Sequence, residues 1–464
     1  MDSYEGALSG RVSEPGRVIT GDNLRVAKTM LAAVRAGIQD APTLIYMDPP
    51  FFTKEKYGQK IKLPGTSCGD IKLPVHAFSD MWGDTYSSDG ARGDKALARY
   101  LTMLAERITA ARDLLADNGS LWIHLDHHAA HYVKILADHI FGGTEYLMNE
   151  VIWHYSSGGA TKKHFARKHD TLLFYAKDPK LHVFYPMLEK SYNRDCRPYN
   201  FKGVKEYCDE GGWYTLVNMR DVWRIDMVGR TSGERTGYAT QKPEALIDRI
   251  VASCTAPGDL CLDMFGGSGT LAAVCERAGR RWVTIDSSPL ASLHTERRMV
   301  GLGAAFEILC GRCTVADNLP ESGRDAPSWE LDVRVERTPG TGAALVTIMP
   351  SSYTIPEIAL GVDMPQVAAL IGMAQDTPEC FMAGMSAGLL GGEGDAHISG
   401  YGIIGGLGGE HPCESGDDPF RPQHTAYGKD CLRLLIRRSG KVTIRVRVTD
   451  IFGSSGMLDI EAEV

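Results

Sequence analysis

The run Asp263-Met264-Phe265-Gly266-Gly267-Ser268-Gly269-Thr270 constrains the fold more than any other part of this sequence. A short apolar stretch, residues 260–264, leads into it, and a helical pattern, 271–278, leads out. Glycines between a strand and a helix let the backbone approach a ligand closely, and the helix start offers free N–H donors. The next apolar stretch, 281–285, ends at Asp286, seventeen residues past Gly269. A carboxylate at that place can accept hydrogen bonds from ribose hydroxyls, so the unit reads as a nucleoside-cofactor site. Gly267-Ser268-Gly269 with Ala272 also satisfies the dinucleotide pattern G-x-G-x-x-A, so the loop alone leaves NAD and S-adenosylmethionine both open.

The same strand-then-helix rhythm recurs upstream. Residues 17–20 read as a strand, and 24–34 carry apolar side chains at helical spacing behind a cap at Asp22 or Asn23. Residues 43–47 (TLIYM) are a buried strand, 51–95 a polar, glycine-rich loop, 96–116 a helix and 120–125 (SLWIHL) a strand. Residues 244–253 are a further helix, closed by Pro257-Gly258-Asp259. Alternation of this kind implies a mostly parallel sheet with helices on both faces. The tail differs: 432–437, 442–448 and 458–464 read as successive strands of a small antiparallel β module.

Asp48-Pro49-Pro50-Phe51 follows the strand at 43–47, where active sites of open α/β sheets lie. Two prolines stiffen the backbone and remove two N–H donors. The Asp48 carboxylate and the Pro49 carbonyl can then accept from one exocyclic amine, while Phe51 offers a face for a planar base. Two acceptors on the N–H groups free the amine's lone pair for attack on a methyl donor. Alone, the tetrapeptide also fits a proline-stiffened strand end.

Taken together and in this order, the two motifs resemble the β-class site-specific DNA amino-methyltransferases, which modify adenine N6 or cytosine N4. Asp48-Pro49-Pro50-Phe51 matches that family's catalytic D-P-P-Y/F element. Phe265, Gly266, Gly267, Ser268, Gly269 and Thr270 match its cofactor loop F-x-G-S-G-T, with Met264 where proline is usual. Thr240-Gln241-Lys242-Pro243 resembles the segment that covers the methionine end of the cofactor, and Gly21-Asp22-Asn23-Leu24 the strand end whose acidic residue meets the adenosine base. His124-Leu125-Asp126, residues 150–154 (EVIWH) and Lys168-His169-Asp170 also fall in familiar places. The likeness spans residues 17–300. It implies a Rossmann-like α/β sheet of seven strands, circularly permuted, and S-adenosyl-L-methionine as cofactor. It implies that Asp22, Lys242, Asp263, the 265–270 loop and Asp286 hold that cofactor, and it removes the NAD alternative. Asp in the first motif position favours adenine N6, with cytosine N4 as the alternative. An inactive DNA-binding or partner-dependent subunit is the alternative of another class.

The formal charge of −8 seems to argue against DNA, but its distribution does not. Residues 151–235 carry 15 Lys+Arg against 10 Asp+Glu, whereas 314–464 carry 11 against 21. The basic stretch is the expected target-recognition insert, with Trp153, Lys162, Lys163, Arg167 and Lys168 as DNA contacts. The organisation expected is therefore a catalytic domain in two pieces, 1–150 and 236–312, an insert at 151–235, and an acidic, partly glycine-rich β module at 313–464. Double-stranded DNA is the expected partner, and a homodimer or a restriction subunit remains open. Eleven scattered cysteines and no apolar run of membrane length or secretory leader point to a cytoplasmic protein. No metal is expected: His127 and His131 share a helical spacing without the H-E-x-x-H carboxylate, and Cys310-x-x-Cys313 lacks a second pair. Pro412-Cys413 resembles the nucleophile dipeptide of cytosine-C5 enzymes but lies in a glycine-rich acidic segment away from the other motifs.

Overall fold

The computed structural model describes residues 15–66, 69–82, 94–156, 161–195, 197–310, 328–338, 343–354, 382–389, 432–436, 441–450 and 455–463. Its centre is a nine-stranded sheet. The strands are β1 (Gly16–Thr20), β2 (Leu44–Met47), β5 (Ser120–Leu125), β6 (Leu147–His154), β7 (His169–Ala176), β11 (Val222–Arg224), β12 (Leu260–Asp263), β13 (Arg281–Asp286) and β14 (Phe306–Cys310). They lie in the order β11-β6-β7-β5-β2-β12-β13-β1-β14. Every neighbouring pair is parallel except the two that β7 makes, with β5 and with β6. The sheet thus has nine strands rather than the seven expected, the additions being β11 and β14 at its edges.

Why the strands read as near-continuous apolar runs is plain from the packing, because both faces are covered. Side chains alternate between two cores. Ile45, Met47, Leu121, Ile123, Leu262, Val283 and Ile285 face one core. Leu44, Tyr46, Trp122, Cys261 and Trp282 face the other. Helices α1 (Asn23–Arg35), α2 (Asp94–Leu114) and α3 (Ala130–Phe141) close the first core through Met30, Leu104, Ile108, Val133 and Ala137. Helices α4 (Glu244–Cys254), α5 (Thr270–Arg277) and α6 (Pro289–Gly301) close the second through Ile247, Ile250, Leu271, Val274 and Met299. A one-residue slip in any strand would swap its two faces, so the register is firmly specified. None of the helices among the described residues is long and apolar enough to cross a membrane.

Three further expectations need correction. The stretch read as loop contains a hairpin, β3 (Lys56–Thr66) with β4 (Gly69–Ser79). Its glycines and prolines hid it, yet register shifts at Tyr57/Gly58 and Leu63/Thr66 and a two-stranded sheet accommodate them. The basic insert is also narrower than 151–235, because β6, β7 and β11 belong to the central sheet. What leaves the body is a three-stranded sheet of β8 (Leu188–Tyr192), β9 (Glu206–Asp209) and β10 (Gly212–Asn218), ordered β8-β10-β9.

The third concerns the tail. There the strands β15 (Ser328–Thr338), β16 (Ala343–Thr354), β17 (Met382–Leu389), β18 (Leu432–Ile436), β19 (Lys441–Asp450) and β20 (Ser455–Glu463) form two antiparallel sheets. The antiparallel β reading therefore agrees with the structure, but β18 pairs with β16 and not with β19. The short Ser439-Gly440 link suggested a hairpin that long-range pairing overrides. Most of the glycine-rich segment 384–409 lies outside the described residues, as do Cys313 and Cys413.

Candidate active site at the strand ends

Parallel strands end on one side of a sheet, and loops there can converge on a ligand. The register brings Asp48 just past Met47, which pairs with Ile123, and so places it beside His124. Asp263 lies opposite Tyr46 and Thr284, and Asp286 opposite Thr20. Because β7 runs the other way, its first residues, His169 and Asp170, reach the same end. Residues scattered from 20 to 286 thereby share one rim.

The chain after Phe51 is held by Asp80, a buried residue in the stretch read as loop. Its carboxylate accepts from the Phe52 N–H (3.1 Å), the Thr53 N–H (2.6 Å), the Thr53 hydroxyl (2.7 Å) and the Trp82 indole (2.7 Å). Phe52 and Lys54 both have φ of 64°, a left-handed conformation that side chains disfavour, so these bonds hold a strained turn. Tyr100 from α2 donates to the Pro50 carbonyl at 2.8 Å. Under the Phe51 ring lies His124, 5.8 Å away between centroids. His124 is fully buried, bonded to the Tyr46 hydroxyl (2.8 Å) and to Asp170 (3.1 Å), with Tyr155 donating to the other Asp170 oxygen. Burial pushes the Asp170 carboxyl up, but the hydrogen bond and charge of His124 outweigh it and leave it below its ordinary value. No motif marks Asp80 or Tyr100, and the segments around His124 and Asp170 fall in familiar places without showing that the two side chains meet.

Asp48 itself accepts from the Lys242 ammonium through Oδ2 at 2.5 Å. Its Oδ1 is buried and has no hydrogen-bond partner among the described residues. Asp263, also buried, accepts the Phe265 N–H at 3.0 Å. Burial, with Asp48 and Asp286 nearby, pushes its carboxyl up to about 8. Burial likewise raises Asp286, against the N–H bonds it accepts from Gly267 (2.9 Å) and Ser288 (2.8 Å).

The glycine loop is tightly fitted. A Cβ on Gly266 would sit 2.0 Å from the Thr284 hydroxyl, and Gly267 and Gly269 have φ of 50° and 71°. Gly269 caps α5 with no side-chain bond to the helix N–H groups, while Ser268 and Thr270 hydroxyls bond each other at 3.1 Å. Phe265 packs partly against the core. Asp22 caps α1 through the Arg25 N–H (2.9 Å) and pairs with Arg107 at 2.8 Å, so both its oxygens are engaged. A glycine-rich loop, a free helix N-terminus and the neighbouring acidic residues Asp48 and Asp286 fit a nucleoside that carries positive charge, as S-adenosylmethionine does through its sulfonium and ammonium groups.

The expected DNA contacts divide. Lys162, Lys163 and Arg167 are exposed and Lys168 is half-buried on the segment between β6 and β7, which opens at the site's rim. Trp153 is a correction: it is 2% exposed, faces the core and donates its indole N–H to the Ile225 carbonyl at 2.8 Å. Alternation on β6 decides this, since Val151 and Trp153 point inward together. Phe165, which sequence reasoning passed over, is 97% exposed amid those cations. On the β8-β10-β9 sheet, Tyr192, Tyr214 and Tyr207 form a row across the strands, with Lys190 and Lys205 over the rings.

Metal ligands converge at one place among the described residues. Asp126, His127 and His128 bring donor atoms within 4.8 Å of one another. Asp126 already accepts the His128 N–H (2.8 Å) and ring nitrogen (2.7 Å), the pattern of a closed turn. His131 is not part of the group.

Comparison with known proteins agrees with the motifs. Residues 43–292 match the family described as DNA methylase, N6_N4_Mtase. The chain is 27% identical over 188 residues to the type II methyltransferase M.HpaI of Haemophilus parainfluenzae, which is 40% of this chain and 55% of that protein. It therefore spans about half the length of this curated relative. Among solved structures, the PvuII cytosine-N4-specific DNA methyltransferase is similar with a TM-score of 0.41 and 13% identity, over 62% of this chain and 87% of that one. A DNA modification methylase of Thermus thermophilus, complexed with S-adenosyl-L-methionine, gives 0.38 and 16%, over 64% and 100%.

Proposed function

This chain belongs to the N6/N4 DNA methylase family, and from that premise we propose that it transfers a methyl group from S-adenosyl-L-methionine to the N6 amine of adenine in double-stranded DNA. The observation that carries the reading is the buried, unpartnered Asp48 Oδ1, which sits beside Phe51 on the rim that holds the glycine loop. An acceptor there suits the N–H of an exocyclic amine.

When bound, S-adenosylmethionine supplies an electrophilic methyl group on a sulfonium. The chain's own residues do the rest. The glycine loop and Asp286 hold the nucleoside end, and Asp263 fixes the start of that loop by accepting the Phe265 N–H. Asp48 and the Pro49 carbonyl accept the two amine hydrogens, which directs the nitrogen lone pair at the methyl carbon. The cofactor would supply the methyl carbon as an electrophile and keep the bonding pair on its sulfur, and the proton released by the methylated amine would pass through its hydrogen bond to Asp48 to solvent. Phe51, backed by His124, stacks on the target base and contributes about 1–3 kcal/mol. That offsets the few kcal/mol needed to take the base out of the duplex. Lys162, Lys163 and Arg167 neutralise phosphates around the opening. Likeness to a type II methyltransferase makes the modification half of a restriction–modification pair the setting we favour.

Digesting DNA treated with the protein and identifying the methylated nucleoside tests this. N6-methyladenine is expected. N4-methylcytosine would overturn the base assignment and keep the chemistry, whereas unmodified DNA would refute the reading.

A further inference from the structure

The two oxygens of Asp48 have different surroundings. Oδ2 holds the Lys242 ammonium at 2.5 Å, and Oδ1 is buried with no partner among the described residues. An acceptor left unmade in the interior is unfavourable, so Oδ1 calls for a donor from outside the chain. Lys242 is itself buried, with its Nζ 4.9 Å from the centre of the Phe51 ring. It sits immediately before α4, where Gln241 accepts the Thr236 N–H at 2.8 Å and the Lys242 carbonyl accepts the Thr270 hydroxyl at 3.3 Å. The lysine is thus fixed to the cofactor loop at its backbone and to the reaction centre at its tip.

The surroundings are acidic. Asp263 from β12 and Asp286 from β13 repel each other and Asp263 also feels Asp48, while Asp170 from β7 feels the Lys242 charge. Tyr46 from β2 and Tyr238 from the segment before α4 face the same carboxylate and are held protonated, mainly by burial. Among these groups Lys242 is the cation in contact with Asp48.

We propose that Lys242 is a positioning residue for methyl transfer: it holds Asp48 through Oδ2 and so turns Oδ1 to the target amine. The inference rests on the reading of Asp48 as the amine's acceptor. It differs from the role its motif implies, since the ammonium is spent on the catalytic carboxylate rather than on the cofactor. Lys242 forms and breaks no covalent bond.

The test is the single-turnover transfer rate, measured with cofactor affinity by calorimetry, for the wild type and for Lys242→Gln, Lys242→Met and Lys242→Arg. In the two uncharged variants the rate should fall by about tenfold to a hundredfold. Cofactor affinity should stay within about threefold. Lys242→Arg keeps a charged donor for Oδ2 and should restore most of the rate, and it carries the test alone if the uncharged variants do not fold. A rate unchanged in both uncharged variants, a tenfold loss of cofactor affinity, or a rate as low in Lys242→Arg as in Lys242→Met would each overturn the proposal. Absence of transfer by the wild type would instead fail the functional reading on which it rests.

Discussion

Replacing Asp263 with asparagine should remove a pH dependence of stability that the fold builds in. The carboxyl is buried at the end of β12, and burial together with Asp48 and Asp286 pushes it from 3.8 to about 8. A raised carboxyl favours the protonated folded state. Its stabilising contribution is complete below pH 3.8 and is lost as pH rises through about 8. Each pH unit between those two values corresponds to about 1.4 kcal/mol, so the window spans on the order of 5 kcal/mol. Asparagine keeps an oxygen to accept the Phe265 N–H and cannot ionise. Urea unfolding of both proteins at pH 5, 6, 7 and 8 measures the effect. The wild type should lose about 1.4 kcal/mol per pH unit relative to Asp263→Asn between pH 5 and 7, and less towards pH 8. Parallel stability curves would mean that Asp263 is ionised throughout, and burial would then not govern its titration.

Other parts of the site make equally direct predictions. Gly266→Ala puts a Cβ 2.0 Å from the Thr284 hydroxyl, so cofactor affinity should fall by about tenfold or more, some 1.4 kcal/mol. Adding Thr284→Ala should restore part of it, as calorimetry will show. Asp80→Asn weakens four bonds that hold the turn after Phe51. It should cost about 1.5–3 kcal/mol in urea unfolding and slow transfer more than it changes cofactor binding. Neutralising Lys162 and Lys163 together should reduce the slope of log affinity for DNA against log salt by about 2. A slope equal to that of the wild type would place the phosphates elsewhere.

Much of the site was legible because its motifs sit where strands stop. The buried runs at β2, β5, β12 and β13 are short, apolar and ended by turn residues, so strand ends and the loops beyond them could be located. Supporting residues were not legible, because their meaning lies in distant partners. Asp80 serves Thr53 across the β3–β4 hairpin, and Asp170 serves His124 through an antiparallel pairing 46 residues apart. No local pattern encodes such pairings. Trp153 shows the opposite error. An aromatic among cations suggested DNA, whereas the period-2 alternation along residues 150–154 already turned it inward. Lys242 was visible as a motif, but its partner appeared only when β2 and the start of α4 were brought together.

Everything proposed for the site depends on Asp48 directing an exocyclic amine of DNA toward the methyl group of a cofactor held by the glycine loop. Labelled methyl transfer to DNA by the wild type and by Asp48→Ala, with cofactor affinity determined for both, is the decisive assay. Transfer should fall by at least about a hundredfold in the variant while cofactor affinity stays nearly intact. Full transfer by Asp48→Ala would mean that another group accepts the amine hydrogens, and the role given to Asp48 would be wrong.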